Sequence, residues 1–131
     1  MSDACIIHLE NHWKKLISEA NESFSNKDYT SALHRYEEAL FRGEVLNNYI
    51  DDCIRIGVPF IPIYLISCYN LSNTYLELGE TEKAGNILKG TVHYLLHVSG
   101  KPNVHPELWQ QELKKSGIYL LNFLKENEPD E

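Results

Sequence analysis

The stretch that decides the fold is residues 61–79, IPIYLISCYNLSNTYLELG. The apolar residues of its first half cover every side of a helix: Ile61, Ile63, Tyr64, Leu65, Ile66, Cys68, Tyr69 and Leu71. A helix that is apolar all round is normally buried. The second half narrows to Tyr75, Leu76 and Leu78 among polar residues. We therefore predict a buried central helix, around which the other helices pack, with its asparagines facing a groove.

Helical periodicity precedes this segment from the start of the chain. Ser2 or Asp3 can cap a first helix, because a short polar side chain satisfies free backbone N–H groups. Its apolar residues recur at steps of three and four: Ile6, Leu9, Trp13, Leu16 or Ile17, Ala20 and Phe24. We expect this helix to end at residues 25–27, and Asp28 to cap the next one.

The second helix allows two interpretations. Apolar residues keep a helical phase from Ala32 to about Ile56, which would give a helix of about 40 Å. Gly43 and the pair Asn47–Asn48 instead favour a turn. We favour one continuous helix, with a kink or turn between Gly43 and Asn48 as the alternative.

Glycine and proline mark the remaining boundaries. Gly57 and Pro59 end the second helix, and Pro59 or Pro62 opens the central one. A fourth helix is expected from Thr81 to Val98, and a fifth from Pro106. The apolar stripe predicted for the fifth helix comprises Leu108, Trp109, Leu113, Gly117, Leu120, Leu121 and Leu124.

No strand-like alternation is found anywhere in the sequence. We predict an all-α, antiparallel helix–turn–helix stack of about five helices. Residues 1–125 would form a single domain, and residues 126–131 an acidic, flexible tail.

Composition narrows the function classes. The net charge of −7 repels phosphate backbones, so nucleic acid is a poor partner and a basic peptide or protein a better one. No apolar run approaches the ~18 residues of a membrane span, and the N-terminus lacks the features of a signal peptide. The three cysteines are odd in number and lie among apolar residues, which suggests reduced, buried thiols and a cytoplasmic location.

Two segments of the chain align without gaps, residues 16–40 and 68–92. Small residues of one segment align with small residues of the other, at positions where antiparallel helices must approach closely. Large residues align at the positions that would fill the space beside them. The aligned pairs are Ala20 with Ser72, Phe24 with Leu76, Ala32 with Ala84, Tyr36 with Leu88, and Ala39 with Thr91.

This pattern resembles the tetratricopeptide repeat (TPR) family, whose units are helix–turn–helix pairs. A third half-match, residues 113–121, puts Gly117 in the small slot and would be a capping helix. Two departures stand out. The step from Ala32 to Ala84 exceeds the family period of 34 residues, with the extra residues between Gly43 and Pro62. The usual proline near residues 43–48 is also missing.

The resemblance implies a protein-binding groove lined by the first helix of each pair. By alignment, the groove residues are Lys14, Ile17, Asn21, Ser25, Tyr69, Asn70, Asn73, Glu77, Lys114 and Lys115. Asparagine suits this role because its amide can pair with both the N–H and the C=O of a peptide. One subset of the family clamps a terminal carboxylate with lysines, but Ile17 and Gln111 replace two of those lysines here, which argues against such a clamp.

Two further hypotheses remain. His93 and His97 share a helix face, and His105 lies in a nearby loop, so the three could hold zinc in a metal-binding enzyme or sensor. Alternatively, the chain could be a structural subunit that self-associates through exposed Trp13 or Trp109, for example as a homodimer. No phosphate loop or nucleophile motif occurs. The leading hypothesis is a non-catalytic adaptor or chaperone-like module that needs no cofactor and binds another protein.

Overall fold

The structure, a computed structural model, describes residues 1–127. No strand occurs within them, so the predicted all-α class is confirmed. Six helices are present: α1 (Asp3–Ser25), α2 (Tyr29–Leu46), α3 (Ile50–Ile56), α4 (Phe60–Glu77), α5 (Thr81–Ser99) and α6 (Pro106–Glu126). The prediction of about five helices is one short, because the second predicted helix is divided into α2 and α3.

The long helices pack in sequence. α1 packs on α2, α2 on α4, α4 on α5 and α5 on α6, and the short turns within the pairs α1–α2 and α4–α5 make the helices of each pair antiparallel. The short helix α3 lies beside the start of α1, where Arg55 donates to both carboxylate oxygens of Asp3 at 2.6 and 3.1 Å. The result is a row of helices with α4 between α2 and α5.

The central position of α4 confirms the prediction for residues 61–79. Half of its 18 residues are buried, including three with hydroxyl groups: Ser67, Ser72 and Thr74. Each hydroxyl has a partner, as buried polar groups require. Ser67 Oγ accepts from Trp13 Nε1 and donates to the Ile63 carbonyl, both at 2.8 Å.

The continuous second helix predicted from Asp28 to Ile56 is wrong, because the chain breaks at residues 47–49. Asn47 donates through Nδ2 to the Gly43 carbonyl at 2.9 Å and accepts through Oδ1 from the Tyr94 hydroxyl at 2.6 Å. The first bond adds a side-chain donor to a carbonyl that also accepts the backbone N–H of Asn47, and the second ties the turn to α5. The alternative turn between Gly43 and Asn48 is close to the observed break.

The inward face of α6 also differs from the prediction. Ser116 and Phe123 are its buried residues, whereas Leu108, Leu121 and Leu124 of the predicted stripe are exposed. Helix α6 continues through Glu126, which was predicted to belong to the acidic tail. Residues 128–131 lie outside the part of the chain that the structure describes.

The structure also bears on the predicted helix caps, the cysteines and the search for membrane spans. Ser2 caps α1 by accepting from the Cys5 amide, and Asp28 caps α2 by accepting from the Ser31 amide. Cys5 is exposed rather than buried, while Cys53 and Cys68 are buried and all three thiols are free. Within the described residues no single helix is long and apolar enough to cross a membrane; only α3 and α4 taken together pass that test, as a pair bent by 111°.

Candidate functional site

The exposed residues of α4 all lie on one side of the helix, which we call the α4 stripe. Its members are accessible or half-buried and recur at helical spacing: Pro62, Ile66, Tyr69, Asn70, Asn73, Leu76 and Glu77. Four of the predicted groove residues, Tyr69, Asn70, Asn73 and Glu77, are therefore brought together on one side of the molecule. The alignment missed Ile66 and Leu76, which are 40% and 37% exposed.

Helix α1 contacts α4 and carries four predicted groove residues. Lys14 and Asn21 are exposed, and Ile17 is half-buried between two hydrophobic clusters. The amide oxygen of Asn21 accepts a hydrogen bond from the Tyr36 hydroxyl, so it is already used in holding α1 to α2. Lys14 lies 3.9 Å from Glu10 of its own helix. Ser25 is the last residue of α1 and is exposed.

Helix α6 flanks the other side of the stripe. Tyr69 shares a hydrogen bond with Ser116, and its ring centroid lies 5.0 Å from that of Tyr119. Burial raises the pKa of Tyr69, so its hydroxyl stays protonated and acts as a structural link. The Tyr69 side chain therefore holds α6 to α4 and is only partly accessible to a ligand.

The two predicted groove lysines of α6 do not lie on the same face. Lys115 is spaced three and four residues from Glu112 and Tyr119, which puts it on the face toward α4. It lies 3.8 Å from Glu112. Lys114 is rotated by about 100°, to the side that carries Gly117 and Ile118. The structure therefore does not bring Lys114 and Lys115 together, because they lie on different faces of α6.

Two clefts lie beside α6: the first is between α6 and the residues of α3, the α3–α4 turn and the start of α4, and the second is on the seam between α4 and α6. The first has a volume of about 420 Å³ and is lined by Cys53, Ile54, Gly57, Val58, Pro59, Phe60, Ile61, Pro62, Glu107, Leu108, Gln111 and Glu112. The second has a volume of about 340 Å³ and is lined by Tyr69, Ser72, Asn73, Leu76, Leu88, Tyr119, Asn122, Phe123 and Glu126. Each is large enough to take one or two side chains of a partner. Tyr119 and Asn122 were missed in the sequence because their role depends on the rotation of α6.

The histidines do not form a metal centre in the described part of the chain. Among residues 1–127, no group of three or more histidine, cysteine or acidic side chains comes close enough to hold an ion. His93 and His97 are exposed on α5, and His105 is the exposed residue that precedes α6. The three are therefore not assembled into a ligand set.

The buried thiols are poor nucleophiles. Burial raises the pKa of Cys53 to about 11 and that of Cys68 to about 12. The thiolate is the reactive form of cysteine, and neither residue is deprotonated near neutral pH.

The hypothesis of self-association through an exposed Trp13 is wrong, because Trp13 is buried, at 7% exposure. Trp109 is half-buried.

One of three comparisons with known proteins gives a match to this chain. Neither the curated proteins nor the solved structures give a match to this chain. One family model, described as "Protein of unknown function (DUF2753)", matches residues 11–131, which include α2 to α6 and most of α1. The chain belongs to this DUF2753 family.

Proposed function

We propose that the protein is a non-catalytic binding module that holds a peptide or helix of another protein along the α4 stripe. One observation carries the proposal: every exposed residue of α4 lies on this stripe, which runs along the length of the helix. The stripe offers amides at Asn70 and Asn73 and apolar contacts at Ile66 and Leu76. Amides that can both donate and accept suit a peptide backbone, and clefts for side chains lie alongside.

The helix pairs support the proposed resemblance to TPR units. In α1–α2 and α4–α5, the aligned small residues Ala20, Ala32, Ser72 and Ala84 are at most 1% exposed. Small buried residues at matching positions are what closely packed repeat helices need. Helix α3 supplies the residues that exceed the family period, and α6 would be the capping helix.

The charge around the stripe favours a basic partner. Lys14 and Lys115 each lie within 4 Å of a glutamate of their own helix, so neither adds an unbalanced positive charge. Glu77 and Glu126 lie toward the C-terminal end of the seam and are exposed. Together with the net charge of −7, this arrangement attracts a cationic segment and repels an anionic one.

The cysteines favour a cytoplasmic location for the proposed module. All three thiols are free, which suits a reducing compartment.

The test is selection from a displayed random peptide library on the full chain. The groove variant combines Ile66→Lys and Asn73→Lys, two exposed positions where lysine can be accommodated without disturbing the core. The matched control combines Phe41→Lys on α2 and Asn86→Lys on α5, which are also exposed. Selected peptides should be enriched in lysine and arginine, and fluorescence anisotropy should show at least a ~10-fold loss of affinity for the groove variant.

The control variant should bind the same peptides as the unmodified chain. If the selected peptides bind the groove variant and the control equally well, the α4 stripe is not the binding surface. Circular dichroism of both variants checks that the helices are retained.

A further inference from the structure

The two clefts beside α6 lie at opposite ends of the α4 stripe. The cleft at the α3–α4 turn, which we call the turn cleft, is lined by Ile61 of α4 and Gln111 of α6, among others. The cleft on the α4–α6 seam, which we call the seam cleft, is lined by Asn73 and Phe123 of the same two helices. Twelve residues separate these positions on α4 and also on α6, which corresponds to ~18 Å along each helix. Both helices therefore give the same distance between the clefts.

Each cleft combines apolar walls with a carboxylate. In the turn cleft, Leu108 is 39% exposed, and Pro62 and Glu107 are exposed beside it. In the seam cleft, Leu76 is 37% exposed and Glu126 is exposed. Neither cleft is lined by a lysine, arginine or histidine in the part of the chain that the structure describes. A long cationic side chain fits this chemistry, since its methylene stem packs on apolar surface while its charged end reaches a carboxylate.

One further carboxylate of the turn cleft already has a cation beside it. Glu112 lies 3.8 Å from Lys115, a residue that lines neither cleft. This neighbour balances the charge of Glu112, whereas Glu107 stands at the exposed start of α6. Glu107 is therefore the carboxylate that can meet a cation of the partner in the turn cleft.

The surface between the clefts suits an extended chain better than a helix. Ile66 and Asn70 of the α4 stripe lie between Ile61 and Asn73 in the sequence. The amides of Asn70 and Asn73 can pair with the backbone N–H and C=O groups of a bound segment. An α-helix uses these backbone groups in its own hydrogen bonds, whereas an extended chain leaves them free for a partner. The amides are thus of most use to an extended segment.

We propose that the bound segment is extended and carries two lysine or arginine residues six positions apart, one for each cleft. This inference rests on the proposed function, because it describes the segment that the α4 stripe holds. Six residues span ~19–20 Å at the ~3.1–3.3 Å per residue of an extended chain, close to the distance between the clefts. Side chains six positions apart also point to the same side, both in a β-strand, which repeats every two residues, and in polyproline II, which repeats every three.

The experiment measures how affinity depends on the spacing of two cations. Fluorescently labelled peptides of equal length, in a glycine–serine background, carry one arginine, or two arginines three, six or twelve positions apart. Their binding to the full chain at low ionic strength is followed by fluorescence anisotropy. The peptide with a spacing of six should bind at least ~10-fold more tightly than the equally charged peptide with a spacing of three, because three residues reach only ~10 Å. The peptide with one arginine gives the affinity of a single cleft.

Removing either carboxylate should abolish the preference for a spacing of six. In Glu107→Gln and in Glu126→Gln, the spacings of six and three should differ by no more than ~2-fold, since one anchor is lost. Glu38→Gln, at an exposed position of α2, is the matched control and should keep the ~10-fold difference. Glutamine has nearly the size and the helix propensity of glutamate, so circular dichroism should be unchanged in all three variants.

Any of four results would overturn the inference. They are equal affinities for the spacings of three and six, no binding of these peptides up to ~1 mM, a preference for six that survives both glutamine variants, and tightest binding at a spacing of twelve. The last result would indicate a helical partner, since twelve residues of helix span ~18 Å. Failure of the proposed function is a separate outcome, in which library-selected peptides bind Ile66→Lys/Asn73→Lys as tightly as they bind its control.

Discussion

Gly85 and Gly90 lie five residues apart on α5, in different surroundings. A Cβ at Gly85 would lie 2.8 Å from Cε1 of Phe123, closer than real Cβ contacts allow, whereas nothing lies within 4 Å of a Cβ at Gly90. Both glycines lower helix propensity by roughly 1 kcal/mol relative to alanine. Only at Gly85 does close packing compensate for that loss.

Gly90→Ala should raise the free energy of unfolding by about 0.5–1 kcal/mol, since alanine stabilises the helix and meets no neighbour. Gly85→Ala should lower it, because the Phe123 ring must move and the α5–α6 contact loosens. Urea unfolding followed by circular dichroism measures both. Adding Phe123→Leu to Gly85→Ala should recover part of the loss; a Gly85→Ala variant as stable as Gly90→Ala would contradict the contact.

The amino-acid pattern predicts which residues are small and buried, but not which partners they meet. Ala20, Ala32 and Ala84 could be assigned to the core because each falls at a repeated position in two aligned segments. The difference between Gly85 and Gly90 depends on Phe123, more than thirty residues further along the chain. Local spacing carries no information about such a contact.

At the scale of helices, the break between α2 and α3 depends on the side chain of Asn47. It donates to the Gly43 carbonyl and accepts from the Tyr94 hydroxyl, and burial raises the pKa of that hydroxyl. Asn47→Ala leaves the Tyr94 hydroxyl without its acceptor, whereas the Gly43 carbonyl keeps the backbone N–H of residue 47, so we expect a loss of about 1–3 kcal/mol in unfolding free energy. Asn48→Ala, at the exposed neighbouring position, is the matched control and should change it by less than ~0.5 kcal/mol. Equal losses in urea unfolding would mean that backbone propensity, not these bonds, sets the break.

Helix ends that depend on neighbouring residues were therefore predictable, while those that depend on distant ones were not. The caps at Ser2 and Asp28 follow from local hydrogen bonding. The α2–α3 break uses Tyr94 on α5, and the rotation of α6 is set by Tyr69 and Ser116 on different helices. For the same reason Asn70 and Asn73 could be placed on one face of α4 from the sequence, whereas the roles of Tyr119 and Asn122 on α6 could not be predicted.

Across the whole molecule, one hydrophobic cluster joins the helix pairs. It includes Trp13 of α1, Leu46 of α2, Ile63 of α4 and Leu95 of α5, and Trp109 of α6 packs against it. A continuous core of this kind favours a single cooperative transition in a domain of this size. The stack should therefore unfold as one unit rather than helix by helix.

The two tryptophans allow this to be measured, because they report on α1 and on α6 separately. Trp109→Phe leaves Trp13 as the reporter, and Trp13→Phe leaves Trp109. In each variant the midpoint of urea unfolding measured by fluorescence should coincide with the midpoint measured by circular dichroism.

The two variants should differ in their free energy of unfolding. Trp13→Phe removes the 2.8 Å bond to Ser67 and should cost about 1–2 kcal/mol. Trp109 Nε1 is buried without a partner among the described residues, so Trp109→Phe should be nearly neutral. A Trp109 transition at lower urea than the loss of helix would show that α6 detaches first.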